Sequence, residues 1–422
     1  MNIELLPDLA AMASLLLILC FLRRRHRQEG VGLWIAGLLF IFLEAGAYSL
    51  YERSGPRHIP CHVIALDSYV IAGTLFLWAA VKPLAPQNKT KIYLAVTAGC
   101  LMGLQTIYGF DIYVPAPYRW ITIIGLIAGV VTPFVLERGF RLGMASWLPL
   151  VQLLIWGPVW IFASKGMFRD TAYYPLFVLY MCAAILFWLS LPKKSLGRIV
   201  IVVGFVLWSL VFLAHSWISN QPQYVDLAAE VWDWQKFLVT IGMLLVLLER
   251  QVAINEWHAL HDQLTGLANR RCYEEKLDEA IRLAQRTGSK LALVMIDLDG
   301  FKAVNDTQGH DIGDLLLQFI ARNLQKVIRP VDMLARLGGD EFILLMTNLP
   351  ADLTRERIVA IANTRVKETL SIPFSCKGEA FVLSASTGVA LYPEDTTDEV
   401  LLRRLADQRM YEQKPNSAMM QA

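Results

Sequence analysis

Long apolar runs separated by short polar gaps fill the first part of the chain. About nine of them are long enough to cross the apolar interior of a bilayer as helices, near residues 5–22, 31–50, 62–81, 92–110, 118–136, 146–163, 173–191, 198–217 and 234–248. From about Trp257 onward the sequence becomes charged and is interrupted by turn residues. The pattern therefore predicts an α-helical polytopic membrane domain over residues 1–248, followed by a water-soluble domain.

Basic residues lie in every second gap between these runs. They follow the first, third, fifth and seventh runs, and they are Arg23, Arg24, Arg25, Arg27, Lys82, Lys89, Lys91, Arg138, Arg141, Lys193, Lys194 and Arg198. The gap before the last run has no Lys or Arg but carries Asp226, Glu230 and Asp233. Because Lys and Arg beside a membrane helix stay in the cytoplasm, we expect the N-terminus outside and the residues after Glu249 inside.

Two acidic residues interrupt the apolar runs. Glu44 and Asp67 lie inside or near the edges of predicted spans, where an ionisable side chain costs free energy. One interpretation is a ligand or ion site, and the other is a hydrogen bond between helices. The sequence leaves both interpretations open.

The last apolar run continues into residues 249–262 without a Gly or Pro to end the helix. Ala253, Trp257 and Leu260 in this stretch and Leu264 just after it follow one another at spacings of four, three and four. Such a stripe predicts either a connector helix that pairs with its copy in a second chain, or a solvated amphipathic connector.

Composition excludes several classes of protein. Hydrophobic residues make up 55% of the chain, and its formal net charge is only +2. The chain has no block of Lys and Arg interleaved with aromatic residues, so nucleic-acid binding is not predicted. The six cysteines are scattered, with no C-x-x-C pair and no His at zinc-ligand spacing, so neither a disulfide framework nor a metal knuckle is predicted.

The first candidate site in the soluble domain is an apolar run that ends in a carboxylate. Residues 291–297 predict a buried strand that brings Asp297 to the edge of a sheet. A turn follows, and the next segment has helical periodicity, broken between Gly309 and Gly313. The free N–H groups at the start of that helix, with Lys302 beside them, would make a phosphate cradle.

Two further strand-like runs, residues 333–337 and 342–346, flank the sequence Gly-Gly-Asp-Glu at 338–341. Two glycines between apolar runs predict a tight hairpin. If this hairpin pairs beside the preceding strand, Asp297 and Asp340 converge. Paired carboxylates supply the oxygen ligands that Mg²⁺ prefers, so the sequence predicts a magnesium and phosphate site.

The sequence GGDEF at residues 338–342 resembles the signature of the GGDEF family of diguanylate cyclases. Three other segments are similar to motifs of that family: residues 262–271 to its opening motif, 297–306 to its metal and phosphate motif, and 386–390 to a late strand. The resemblance implies an α+β catalytic domain of the nucleotide-cyclase, palm-like type over residues 258–422. Its central sheet would be mostly antiparallel and flanked by helices. Without the resemblance, Asp262 would only start a helix and Asp299 would only cap a turn.

The resemblance also implies a metal centre. Asp297, Asp340 and the backbone carbonyl of Leu298 would bind Mg²⁺, or Mn²⁺ in its place, with Glu341 as an auxiliary ligand. Asp340 would assist deprotonation of the ribose 3′-hydroxyl. Together with Lys302, which would stabilise phosphate charge, Asp340 and Glu341 form the expected catalytic set.

Five residues match substrate-contacting positions of the family. Lys302 and Lys414 would contact phosphates, Asn305 and Asp314 would read the guanine edge, and His310 would touch the nucleotide. A carboxylate accepts from guanine N1–H and the exocyclic amine, a donor pair that adenine does not present in that arrangement. GTP is therefore expected in preference to ATP.

Arg329 and Asp332 match the R-x-x-D inhibitory site at which product binds in the family. Arginine grips guanine or phosphate through paired donors, and aspartate accepts from a guanine edge. Arg365, in a predicted helix, is a further candidate for contact with product. Without the resemblance, a surface ion pair would be the default interpretation of Arg329 and Asp332.

Together these features predict a multi-pass protein of the bacterial inner membrane whose cytoplasmic domain joins two GTP into cyclic di-GMP and releases two pyrophosphates. Activity would require a homodimer, and the product would inhibit it. The closing segment departs from the family pattern, because Ala418 replaces an expected arginine and a last strand is missing. The alternative is therefore a catalytically weak domain that binds GTP or cyclic di-GMP.

Overall fold

The computed structural model describes residues 6–26, 30–51, 55–82, 87–136, 147–221, 225–376 and 379–414. The chain forms two compact units that divide between Gln251 and Val252. Arg27, Arg138, Arg141 and Ala418, which entered the arguments above, lie outside the described residues.

Helices account for nearly all of the first unit. They are α1 (Leu6–His26), α2 (Val31–Ser49), α3 (His58–Val81), α4 (Gln87–Gly109), α5 (Pro115–Leu136), α6 (Trp147–Ser164), α7 (Phe168–Ser190), α8 (Leu196–Ile218) and α9 (Val225–Leu260). Among the described residues, seven of them contain a stretch long and apolar enough to cross a membrane. Helix α1 is not among the seven, and the apolar part of α6 is shorter. The first unit is therefore consistent with membrane anchoring.

Both acids of the apolar runs, Glu44 and Asp67, form hydrogen bonds between helices. Tyr69 donates its hydroxyl to Glu44 Oε1 at 2.7 Å, and Lys236 Nζ lies 3.0 Å from Glu44 Oε2. Glu44 and Lys236 are both buried, and their contacts join α2, α3 and α9. Asp67 accepts from Thr106 at 3.3 Å. The interhelical interpretation is confirmed for both acids.

Helix α9 ends before Leu264, the last of the four apolar residues that were expected to form one stripe on the connector helix. Ala253 and Trp257 are exposed on it, but the helix stops at Leu260. Leu264 lies beyond that end and packs on the core of the second unit. The expected four-residue stripe on one helix is therefore wrong, because a turn at residues 262–266 ends the helical spacing.

The second unit is an α+β domain. Its helices are α10 (Arg270–Thr287), α11 (Phe301–Gln308), α12 (His310–Val327), α13 (Arg355–Leu370) and α14 (Glu399–Gln413). Its strands are β1 (Lys290–Asp299), β2 (Met333–Gly338), β3 (Glu341–Leu349), β4 (Phe374–Cys376), β5 (Glu379–Phe381) and β6 (Ser384–Tyr392). The main sheet has the order β2-β3-β1-β6 and β4 pairs with β5. All four pairings between these strands are antiparallel.

Strand β1 runs through the centre of the sheet and is buried on both faces. Its side chains alternate between two cores because neighbouring residues of a strand point to opposite sides. Ala292, Val294 and Ile296 pack with α12 and α13. Leu293 and Met295 pack with α10 and α14. The unbroken apolar run in the sequence thus reflects burial on both faces.

Candidate active site

The end of β1 lies beside the hairpin that joins β2 to β3. Asp297 is opposite Glu341 in the antiparallel pairing of β1 with β3. The N–H of Leu298 donates to the carbonyl of Asp340 at 3.4 Å. The register therefore brings Asp297, Asp340 and Glu341 to one edge of the sheet, although Asp297 and Asp340 are far apart in sequence.

The hairpin depends on a backbone conformation and on one arginine. Gly338 and Gly339 have φ of +146° and +55°, a region in which a Cβ is strained. Arg336 donates to the Gly339 carbonyl at 3.0 and 2.7 Å and to Asp262 Oδ1 at 2.9 Å. Arg336 thus holds the turn that carries Asp340, a role that the sequence analysis missed because no local pattern indicates it.

Asp262 had two interpretations, part of an opening motif or merely a helix start. Its carboxylate accepts from Thr265 and Arg336, and the next helix begins only at Arg270, capped by Asn269. Burial alone would raise the pKa of Asp262, but the hydrogen bonds from Thr265 and Arg336 outweigh it and hold that pKa below its usual value. The helix-start interpretation is therefore wrong.

Asp297 is buried and pairs with a lysine. Lys414 Nζ, just after α14, lies 3.1 Å from Asp297 Oδ2. Burial raises the pKa of the Asp297 carboxyl, and the charges of Asp340 and Asp299 raise it further, whereas Lys414 opposes them. The hydrogen bond to Asp297 raises the pKa of Lys414. Negative charge is thus concentrated at this edge of the sheet, beside the positive charge of Lys414.

Asp299 is a structural residue of the sheet. Its two carboxylate oxygens accept from the hydroxyls of Ser384 and Ser386, each at 2.8 Å. These bonds join the end of β1 to β6. The expectation that Asp299 only caps a turn is therefore wrong, because its carboxylate joins two strands of the sheet.

Four of the five predicted nucleotide-binding residues lie on α11 and α12, which meet at Gly309, and the fifth, Lys414, follows α14. Asn305 Oδ1 is buried and has no hydrogen-bond partner among the described residues. A Cβ on Gly313 would lie only 1.9 Å from that oxygen, so α12 approaches Asn305 closely because residue 313 is glycine. Asp314 and His310 are exposed on the same helix. An unpaired amide oxygen next to an exposed carboxylate suits a ligand with several N–H donors.

Lys302 lies in the first turn of α11 and is exposed. Gly300, at the N-terminus of that helix, has φ of +78° and no side-chain cap. Gly300 thus has no side chain to cap the first N–H groups of α11, at the end where the helix dipole favours anions. Lys302 adds a positive charge to this end of the helix, which favours the binding of a phosphate.

The residues at this edge fit a hard divalent cation. Asp297, Asp340 and Glu341 carry carboxylate oxygens here, and the Leu298 backbone next to Asp297 would add a carbonyl. Oxygen donors of this kind are the set that Mg²⁺ takes in proteins, with other positions left to phosphate.

Arg329 and Asp332 form an ion pair with paired contacts. Arg329 Nε and Nη2 lie 3.0 and 2.8 Å from the two Asp332 oxygens. Arg365 Nη1 and the N–H of Thr347 also donate to Asp332, at 3.3 and 3.2 Å. The Asp332 side chain is fully buried, whereas 37% of the Arg329 side chain is exposed. The arginine, rather than the aspartate, is thus accessible to a ligand.

Comparison with known proteins identifies the second unit. A family model described as "Diguanylate cyclase, GGDEF domain" matches residues 259–420. The bifunctional diguanylate cyclase/cyclic di-GMP phosphodiesterase MucR of Pseudomonas aeruginosa is 43% identical over 159 residues, which are 37% of this chain and 22% of that protein. Diguanylate cyclase TpbB of the same species is 39% identical over 155 residues, or 36% of this chain and 34% of TpbB.

Diguanylate cyclase DgcP of Pseudomonas aeruginosa is 35% identical over 157 residues, covering 37% of this chain and 22% of DgcP. The chain thus spans about a fifth to a third of the length of these curated relatives. The match of the family model, the antiparallel α+β fold and the convergence of acids at the hairpin agree with one another. Residues 259–420 of this chain therefore match a GGDEF domain.

Proposed function

We propose that this protein is a membrane-anchored diguanylate cyclase that condenses two GTP into cyclic di-GMP and releases two pyrophosphates. The observation that carries the proposal is the register that sets Asp297 opposite Glu341, with Asp340 in the adjoining turn. The apolar helices of the first unit would hold the protein in the bacterial inner membrane, with the N-terminus outside and the GGDEF domain in the cytoplasm.

Asp297, Asp340, Glu341 and the Leu298 carbonyl would hold Mg²⁺, or Mn²⁺ in its place, and the bound ion would neutralise charge on the triphosphate. In the reaction, the ribose 3′-oxygen of one GTP bonds to the α-phosphorus of the other, and pyrophosphate leaves with the electrons of the broken P–O bond. Asp340 would accept the proton from the attacking hydroxyl. Lys302 and Lys414 would stabilise the phosphate charge by direct contact.

Base recognition would come from α11 and α12. The buried Oδ1 of Asn305 offers an acceptor, and the exposed carboxylate of Asp314 offers two more. Guanine presents N1–H and an exocyclic amine as neighbouring donors, whereas adenine does not. GTP would therefore bind in preference to ATP, and His310 would contact the same nucleotide.

Product would restrain turnover through Arg329. Its partly exposed guanidinium is oriented by the buried Asp332 carboxylate, and a planar guanidinium suits a guanine edge or a phosphate. In this arrangement Asp332 acts mainly by positioning Arg329, because its two oxygens already accept from Arg329, Arg365 and Thr347.

The test is a nucleotide assay on the full-length protein in lipid with GTP and Mg²⁺. We expect cyclic di-GMP from the parent, a loss of about 100-fold or more for Asp340→Ala, and prolonged synthesis for Arg329→Ala. Asp352→Ala, which removes an exposed acid in the loop after β3, is the matched control and should match the parent. GTP binding without any cyclic dinucleotide from the parent would instead support the binding-module alternative.

A further inference from the structure

Three metal-ligating side chains meet in the first unit, away from the GGDEF domain. His58 and His62 lie on the first turns of α3, and Asp111 follows the end of α4. One ligand atom from each lies within 4.8 Å of the other two. The two histidines are four residues apart on a helix, a spacing that puts both rings on one face. The expectation that no His lies at zinc-ligand spacing is therefore wrong, because these two have that spacing.

Asp111 is held in place from two sides. His58 Nε2 lies 2.7 Å from Asp111 Oδ2, and the Tyr113 hydroxyl donates to Asp111 Oδ1 at 2.8 Å. Asp111 also has φ of +56°, a backbone conformation that costs free energy for a residue with a side chain. A carboxylate so held, with a hydrogen bond to its second oxygen, has the arrangement that supports metal ligands in proteins.

The histidines carry ring nitrogens that the described residues do not satisfy. The Nδ1 atoms of His58 and His62 are buried and have no hydrogen-bond partner among those residues. A buried polar atom without a partner costs roughly 1–3 kcal/mol. A cation that takes imidazole nitrogen would remove this cost at His62 or His58.

Aromatic rings enclose the cluster while leaving access to it. The Tyr51 ring centroid lies 5.1 Å from that of His58 and 6.0 Å from that of His62, and Tyr108 lies 5.6 Å from His62. The side chains of His58 and Asp111 are 22% and 34% exposed. An ion can therefore reach the cluster from its exposed side.

We propose that His58, His62 and Asp111 bind a divalent transition-metal ion, for which Zn²⁺ is the probe. Two imidazoles and one carboxylate suit Zn²⁺ and its neighbours in the first transition row better than Mg²⁺ or Ca²⁺, which prefer oxygen ligands alone. Three protein ligands leave one coordination position for water or a small ligand. Tetrahedral binding brings the ligand atoms to about 3.3 Å from one another, so the cluster closes slightly and the His58 to Asp111 contact opens.

The test measures Zn²⁺ binding to the full-length protein in nanodiscs, purified without a polyhistidine tag. Excess Mg²⁺ and an Asp340→Ala background keep the GGDEF site from contributing. Isothermal titration should show one Zn²⁺ per chain, and Co²⁺ should give the visible absorption of a tetrahedral site. His62→Ala should weaken Zn²⁺ binding by more than about tenfold, and Tyr113→Phe by about tenfold.

Two variants separate ligation from folding. Asp111→Asn retains an acceptor for His58 but loses the charge, and it should weaken Zn²⁺ binding as His62→Ala does. His258→Ala removes an exposed histidine near the end of α9 and should bind Zn²⁺ as the parent does. If His62→Ala does not fold, His62→Gln takes its place, with gel filtration as the check of folding.

Several results would overturn the assignment. Equal Zn²⁺ affinity of the parent, His62→Ala and Asp111→Asn would show that these residues are not ligands. Binding of Ca²⁺ or Mg²⁺ at the cluster without Zn²⁺ binding would rule out a transition-metal site. Parallel titrations with Ni²⁺ and Cu²⁺ identify the preferred ion within the proposed class.

Discussion

Because Gly313 has no side chain, Asn305 can lie close to α12. A Cβ there would lie 1.9 Å from Asn305 Oδ1 and 3.3 Å from Phe301 Cζ. We expect Gly313→Ala to displace the Asn305 amide and to raise KM for GTP about tenfold, the equivalent of one lost hydrogen bond. Steady-state kinetics with GTP measures the change, and the ratio of GTP to ATP turnover should fall with it.

The double variant provides the control for Gly313. If the glycine acts through Asn305, then Gly313→Ala combined with Asn305→Ala should be no worse than Asn305→Ala alone. Additive losses would instead mean that the alanine disturbs α12 by another route. Alanine favours helices more than glycine does, so a loss of helix is not expected from the substitution.

Asp395 makes the stability of the domain sensitive to acid. It accepts from Arg355, from the N–H of Leu391 and from Arg409. Burial raises the pKa of Asp395, but the hydrogen bonds from Arg409, Leu391 and Arg355 outweigh it and lower that pKa from 3.8 to about 2. Because the folded state favours the ionised form, Asp395 stabilises the domain above pH ~4 and loses this effect as pH falls towards ~2.

We expect Asp395→Asn to lower the free energy of unfolding by about 2 kcal/mol at neutral pH. The difference from the parent should shrink as pH falls through ~4 and disappear near pH ~2. Urea unfolding of residues 250–422, followed by circular dichroism, measures it. Asp278→Asn on α10 removes an exposed acid paired with Arg282 and should change stability by less than ~1 kcal/mol. A constant difference across this pH range would contradict the assignment.

Among the helices, the Glu44 to Lys236 pair joins α2 to α9. The side chains are only 2% and 4% exposed, and the charges lie 3.0 Å apart. Removing one partner leaves a buried charge, so Glu44→Gln or Lys236→Met alone should cost roughly 3–5 kcal/mol. Thermal unfolding of the protein in detergent should show a lower midpoint for either variant.

Replacing both partners should restore much of the loss. Glu44→Leu together with Lys236→Met leaves no unpaired charge, and such replacements are often neutral. A double variant whose loss of stability equals the sum of the two single losses would show that the side chains act separately. Because Lys236 and the sequence up to Leu260 belong to one helix, cyclase activity of the same variants reports whether α9 affects catalysis.

For the whole molecule, the proposed reaction requires two GGDEF domains. Each GTP supplies one 3′-hydroxyl and one α-phosphate, and the two bonds form reciprocally, so a C₂ dimer satisfies both. We expect specific activity to fall on dilution. Mixing the parent with excess Asp340→Ala before assembly should lower activity roughly with the square of the parent fraction. Activity that remains proportional to parent protein would contradict a dimeric catalyst.

The sequence by itself determined what depends on local pattern. The apolar run before Asp297 predicted β1, the glycines at 338 and 339 predicted the hairpin, and Gly309 marked the break between α11 and α12. These features follow from side-chain periodicity and from backbone conformations that few residues adopt. The apolar helices were also evident, since a bilayer imposes a minimum apolar length on a helix that crosses it, although only seven of the nine predicted spans meet that length and apolarity among the described residues.

Only the tertiary structure decided which distant side chains meet. Glu44 pairs with Lys236 across 192 residues, Asp299 with Ser386 across 87, and His58 with Asp111 across 53. The hydrogen bonds of Arg336 and of the Asp332 carboxylate likewise come from residues that are distant in the sequence. Periodicity shows which face of an element is buried, but partners across a fold depend on strand register and helix packing, for which a single sequence has no local signal.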